Sequence, residues 1–185
     1  MNILLTGSSG FVGFNLSKKL SSLGYKVIGI EPAQRIANEA INKGINTIVG
    51  FFTRDTSSHI LHKYGSASVV TANNVFAHID DHSLVLEGVK DLIRETSGVF
   101  IIEVSYLGDV ISKNLFDTIY HEHLDYHSVI PLKKFFKSKG FEIIDVEHVD
   151  SHGGSIRITT QLIGGKFKIS NSVAEFIQKE KVLGL

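Results

Sequence analysis

Asn2-Ile3-Leu4-Leu5-Thr6-Gly7-Ser8-Ser9-Gly10-Phe11-Val12-Gly13 opens the chain and decides its fold. Asn2 to Thr6 is a short apolar run, the pattern of a strand covered on both faces. Glycines 7, 10 and 13 punctuate it, and Val12, Leu16, Leu20 and Leu23 then recur at helical spacing until Gly24 stops the helix. Lys26 to Ile30 is a second buried strand, with Glu31 at its end. Pro32 suits the first turn of another helix, whose inner face reads Ala33, Ile36, Ala37, Ala40 and Ile41 up to Gly44. Strand, glycine turn, helix and strand in this order predict a βαβ unit and a parallel sheet.

The alternation continues outward from this unit. Asn46 to Val49 reads as a third strand, Thr53 to Lys63 as a weak helix, and Ala67 to Ala72 as a fourth strand ending on Asn73-Asn74. His82 to Arg94 is amphipathic, carrying Leu84, Val85, Val89, Leu92 and Ile93. Val99 to Val104 is a fifth strand, expected beside strands one and four at the sheet's centre. A helix from Pro131 to Lys139 turns Leu132, Phe135 and Phe136 inward. Phe141 to Val149 and Ser155 to Ile163 are too close together for a helical crossover, so they must pair as an antiparallel hairpin. The fold class is therefore α/β, Rossmann-like, a mostly parallel sheet with helices on both faces and an antiparallel C-terminal hairpin. A parallel sheet finished in this way is the layout of Rossmann-like methyltransferases. We expect residues 1–165 to form this domain and residues 166–185 a helical extension, cut short.

Composition removes several function classes. Lys+Arg and Asp+Glu are both 19, so no net field favours nucleic acid or an anionic membrane. Cys is absent, which excludes disulfides, thiolate nucleophiles and Cys-type zinc sites, and suits a cytoplasmic protein. No apolar run approaches the ~20 residues of a membrane span, and the N-terminus does not read as a signal peptide.

Two stretches carry chemistry. The first is the glycine loop before the first helix. Its backbone N–H groups can hold a phosphate or carboxylate at Gly7, Gly10 and Gly13, while Glu31 can accept both hydroxyls of a ribose. Together they point to an adenosine-type cofactor, either NAD(P) or S-adenosylmethionine. The second is Phe116-Asp117-Thr118-Ile119-Tyr120-His121-Glu122-His123-Leu124-Asp125-Tyr126, which sets two imidazoles, three carboxylates and two phenols in eleven residues. A packed core would need a partner for each of these groups. The wall of a catalytic cleft uses them, because proton transfer needs groups that titrate near neutrality. Plainer readings stand beside this one. His121 and His123 suit a surface strand, His78 suits a helix cap, and His152 suits a turn. No placed acid supports a metal site at His121, His123 and His127, so no metal is expected.

A resemblance narrows the choice. Residues 1–30 resemble the opening of extended short-chain dehydrogenases and nucleotide-sugar epimerases, a likeness that implies NAD(P) and a Tyr-x-x-x-Lys pair. No tyrosine of this chain has Lys four positions on. From Ile30 onward the chain resembles deoxysugar C-methyltransferases that act on nucleotide-linked keto sugars. Gly29-Ile30-Glu31-Pro32-Ala33, Asn73-Asn74-Val75-Phe76-Ala77-His78-Ile79, Glu103 to Leu107, Phe116 to Leu124 and His152-Gly153-Gly154-Ser155 carry that likeness. It implies S-adenosylmethionine held at the glycine loop, Glu31, Asn73 and Asn74. It further implies a nucleotide-linked sugar as partner, His123 as general base, and Tyr120, Glu122 and His78 lining the pocket. That family's acidic first loop, E-x-G-x-x-x-G, is replaced here by Leu4 to Gly10, and its Cys-rich zinc module is absent. An epimerase-like NAD(P) binder and a catalytically silent remnant are the alternative readings.

Overall fold

The computed structural model describes residues 1–7 and 11–185, with side chains of the first helix described from residue 13 onward. Seven strands follow the order β3-β2-β1-β4-β5-β7-β6, the Rossmann-like arrangement the alternation predicts, with the first, fourth and fifth strands adjacent. The chain gathers into two compact units, Met1–Ala72 with Ser83–Phe100, and Asn73–His82 with Ile101–Leu185.

The first unit is the βαβ repeat. It comprises β1 (Asn2–Thr6), α1 (Phe11–Ser22), β2 (Lys26–Glu31), α2 (Gln34–Asn42), β3 (Thr47–Val49), α3 (Arg54–Tyr64), β4 (Val69–Asn73) and α4 (His82–Ile93). β1 pairs in parallel with both β2 and β4, and β2 with β3. Ile3, Leu5 and Val27 bury themselves under Leu16, Leu20 and Val69, as the sequence periodicity requires. α4 contributes a buried stripe of Val85, Leu86, Val89, Leu92 and Ile93. Its Gly88 lies where a Cβ would crowd Ser57 and Phe52, so helix and neighbouring chain approach closely. Thr53 caps α3 by accepting the Thr56 N–H at 3.2 Å.

Four residues expected inward face solvent instead: Leu23, Ala33, Ile41 and Leu84. Leu23 and Ala33 fall outside α1 and α2, which are shorter than the apolar spacing suggests. Ile41 sits in the last turn of α2, and Leu84 lies one residue off the buried stripe of α4.

The second unit carries β5 (Val99–Ser105, from Ile101), α5 (Leu107–Ser112), α6 (Val129–Ser138), β6 (Phe141–Val149), β7 (Ser155–Leu162) and α7 (Asn171–Leu183). β6 and β7 are antiparallel from Phe141↔Leu162 to Val149↔Ser155, with a bulge between Ile143 and Asp145. α5 has no strong signal in the sequence, because six residues show less than two turns of periodicity. Phe136, Phe141, Ile156 and Ile158 are wholly buried, each worth about 1.5–3 kcal/mol relative to exposure. α7 packs against β6 and α6, and its Glu180 is fully buried. The Glu180 carboxylate accepts the first two N–H groups of α6, from Val129 and Ile130. No helix of the described residues is long and apolar enough to cross a membrane.

Candidate active site

In the first unit, β1 and β2 run side by side up to Thr6 and Ile30, just before Gly7. Gly7 follows β1 with φ +66°, a conformation that glycine adopts without steric cost, and donates its N–H to the Ile30 carbonyl at 3.2 Å. Gly13 is the third residue of α1, whereas Gly10 lies outside the described residues. Glu31 ends β2 partly buried. One carboxylate oxygen accepts the Ala33 N–H at 3.0 Å, and the other has no partner among the described residues. It can therefore take a further donor.

In the second unit, a pocket of about 250 Å³ is lined by Asn74, His78, Ser105, Asp117, Thr118, Tyr120, His123 and His152. Asn74 sits just past β4 in the left-handed region, φ +52°, a conformation Asn tolerates. Its N–H donates to the Glu103 carbonyl of β5 at 2.8 Å. The side-chain Oδ1 of Asn73 is buried and has no hydrogen bond. A buried acceptor left unmatched costs free energy unless a ligand donates to it.

The loop that supplies the imidazoles is laced to the 3₁₀ turn Phe76–His78. The Leu124 N–H donates to the Ala77 carbonyl at 3.0 Å, and His78 Nδ1 donates to the Glu122 carbonyl at 2.6 Å. His123 is half-buried. Its Nδ1 lies 2.9 Å from the Thr118 carbonyl, an oxygen that only accepts, so the proton of a neutral imidazole resides on Nδ1. Nε2 is therefore the lone-pair nitrogen, and the Tyr120 hydroxyl donates to it at 3.0 Å. The Tyr126 hydroxyl also donates to Thr118 O, at 3.1 Å, and its ring stands edge-on to His123 with centroids 6.0 Å apart. The His78 and His123 rings are 5.1 Å apart. One carbonyl thus orients the histidine and one phenol faces its basic nitrogen, an arrangement that can take up a proton and pass it on.

The fold brings His123, Tyr120, His78 and Asn74 to one pocket. Glu122 turns the other way and borders an adjoining open concavity with His78 and Leu124. His121 is exposed, its ring steeply inclined to that of Tyr120 with centroids 6.5 Å apart. Four further residues line the pocket: Asp117 and Thr118, which belong to the eleven-residue stretch but have no individual role in the sequence reading, Ser105 at the end of β5, and His152, which the sequence reading treats as a turn residue. Only the C-terminal end of a strand flags Ser105. For His152 the local signal is that of a turn.

A second concavity, also about 250 Å³, is lined by Phe76, His82, Asp125, Tyr126, His127, Pro131, Leu132 and Phe135. Burial, reinforced by the neighbouring His82, pushes the His127 imidazole down to about 4, so it is neutral at pH 7.

Residues 12–146 match the family model described as a methyltransferase domain. Over 162 residues the chain is 36% identical to the C-methyltransferase NovU of Streptomyces niveus, covering 88% of this chain and 38% of that protein. It therefore spans well under half the length of that relative. Among solved structures it superposes on the magnesium protoporphyrin IX methyltransferase of Synechocystis PCC 6803 with bound SAH, with a TM-score of 0.61, 15% identity, and coverage of 86% of this chain and 73% of the other. A SAM-dependent methyltransferase of Aquifex aeolicus gives a TM-score of 0.61 at 16% identity, covering 88% and 82%. At such identities these likenesses speak for the fold.

Proposed function

This chain belongs to the methyltransferase-domain family, and from that premise we propose that it is an S-adenosylmethionine-dependent C-methyltransferase of a nucleotide-linked keto-deoxysugar. The observation that carries the reading is the chain of contacts from the Tyr120 hydroxyl through His123 to the Thr118 carbonyl. The 36% identity to a C-methyltransferase supports it. Carbon has no lone pair to offer a methyl group, so a C-methyltransferase must first make a nucleophilic carbon. Beside a ketone, a base can do this by removing a C–H proton while the electron pair moves into the enolate.

His123 is built for that step. Its Nδ1–H, held by Thr118 O, leaves the Nε2 lone pair pointing into the pocket. The Tyr120 hydroxyl that covers Nε2 in the free protein moves to a sugar oxygen as the substrate C–H takes its place. His78, with Nδ1 spent on the Glu122 carbonyl, presents Nε2 as an acceptor for a sugar hydroxyl. Glu122 serves at the pocket's outer rim. The described residues suit the cofactor in two respects: Glu31 keeps one oxygen for a ribose hydroxyl, and Asn73 Oδ1 lacks a donor. Gly7, Gly10, Gly13, Glu31, Asn73 and Asn74 would hold S-adenosylmethionine. When bound, it supplies an electrophilic sulfonium methyl.

Two measurements test the proposal. Titration calorimetry should show heat with S-adenosylhomocysteine and none with NAD+; the reverse result favours the epimerase-like reading, and no heat with either favours the remnant. In D₂O, His123→Ala should lower deuterium entry at the carbon beside the ketone by about 10²-fold or more, the contribution expected of a general base, with cofactor affinity unchanged.

A further inference from the structure

The turn between β6 and β7 is held far more firmly than a hairpin connection requires. Its residues 151–154 are anchored by two buried carboxylates, Glu103 and Asp109. Ser151 Oγ donates to Glu103 Oε1 at 3.3 Å, and the other oxygen of Glu103 is gripped by Arg157 through Nε and Nη2 at 3.1 and 2.8 Å. Lys113 donates to the Gly153 carbonyl at 2.8 Å and to Asp109 at 3.2 Å, and His148 donates to the same Asp109 oxygen. The Gly154 carbonyl accepts the Tyr106 N–H at 3.1 Å. Gly154 lies so close to Asp109 that a Cβ would collide with the carboxylate, and a Cβ on Gly153 would come within 2.7 Å of Leu115.

His152 stands in the middle of this clamp with φ +50°, a left-handed conformation that His, with Asn and Asp, enters more often than other residues with a β-carbon. The two residues after it are glycines, and glycine at 152 would suit the backbone better. The pinned turn fixes the backbone from which the His152 side chain projects. His152 is exposed and lines the pocket that contains His123, and neither ring nitrogen is hydrogen-bonded by a described residue, so both are free to meet a ligand there.

The reaction assigned above needs what His152 can provide. As the C–H bond breaks, its proton goes to His123 Nε2, the bonding pair becomes the C=C of the enolate, and the carbonyl oxygen takes up negative charge. A donor must meet that charge. The other polar groups of the pocket are largely engaged or of the wrong kind. His78 Nδ1 is used by Glu122 O and the Thr118 hydroxyl by Leu115 O, the Tyr120 hydroxyl goes to a sugar hydroxyl oxygen once the substrate displaces it from His123, and Asp117 is an acceptor when ionised. Asn74 and Ser105 line the same pocket and can add further donors beside His152. We propose that the His152 imidazole donates its N–H to the ketone oxygen of the substrate and stabilises the enolate that His123 generates. The assignment rests on the reading of this pocket as the place of proton abstraction.

The test uses the whole chain in D₂O with S-adenosylhomocysteine and a thymidine diphosphate-linked keto-deoxyhexose as probe, and follows deuterium entry by NMR. His152→Gly removes the imidazole and relieves the positive φ, so its urea midpoint should equal or exceed that of the wild type. Its exchange rate should fall by about 10²–10³-fold, the loss typical of an oxyanion donor, and added imidazole should restore part of it. His152→Asn also tolerates the turn and should be slower than wild type by at least about 10-fold. Wild-type exchange in either folded variant overturns the assignment to His152 and leaves His123 untouched. If the wild type itself exchanges nothing while binding the probe, the proton-abstraction reading fails and takes this one with it.

Discussion

Glu180 offers a direct measure of how far a residue remote in sequence shapes the imidazole loop. It is fully buried, and its two carboxylate oxygens take the N–H groups of Val129 and Ile130, donors that α6 cannot satisfy internally because they belong to its first turn. α6 begins directly after the loop that carries Tyr120, His123 and Tyr126. Glu180→Gln preserves the shape but replaces one accepting oxygen with an NH₂ that faces an N–H. One charge-assisted bond is lost, worth about 1.5–3 kcal/mol, and the favourable interaction of a negative charge with the helix N-terminus goes with it, about 0.3–1 kcal/mol. Relief from burying a charge offsets part of this. The expected destabilisation is about 2–3 kcal/mol, a sizeable share of the 5–15 kcal/mol typical of a folded domain. At a urea slope of about 2 kcal/mol/M, the unfolding midpoint should fall by about 1–1.5 M. Glu180→Ala, which strands both donors and leaves a void, should fall further. Circular dichroism against urea reads the midpoint, and amide hydrogen exchange at Val129 and Ile130 reads the local effect. A Glu180→Gln midpoint within about 0.3 M of wild type, with both amides still protected, would refute the capping argument.

Two other expectations follow from the loop. His127 is held neutral, with its folded-state value near 4 against an ordinary 6.5. Between those values the unfolded chain binds more protons, so stability should rise with pH from about 4 to 6.5 and then level off. His127→Phe should flatten that dependence, and urea midpoints at several pH values across this window would show it; an unchanged slope would contradict the burial argument. Tyr126→Phe removes one of the two donors to Thr118 O and leaves that of His123 in place. It should cost under about 1.5 kcal/mol of stability and slow deuterium exchange several-fold by loosening the imidazole, whereas a loss as deep as that of His123→Ala would mean that the phenol itself moves the proton.

The alternating strands and helices were legible because burial repeats with a period set by local backbone geometry. Ile3, Leu5 and Val27, or Ile156 and Ile158, declare their faces without reference to the rest of the chain. The hairpin of β6 and β7 was legible for a similar reason, since the few residues between the strands leave no room for a crossover. The eleven-residue run of titratable groups was conspicuous for the same kind of reason, because a core could not absorb it, and in the structure four of its residues line a pocket. The division of labour within that run depended on tertiary contacts. His121 and His123 are chemically identical and two residues apart, yet only one finds the Thr118 carbonyl and the Tyr120 hydroxyl, while Glu122 turns to the outer concavity. His152 shows the same limit from the other side: its neighbours spell a turn, and only the ion pairs of Glu103 and Asp109, gathered from β5, α5, β6 and β7, place its ring in the pocket. Periodicity is a local property of the chain and can be read from it. The protonation and aim of an imidazole depend on which distant groups the folded chain sets within about 3 Å of its nitrogens, and folding alone decides that.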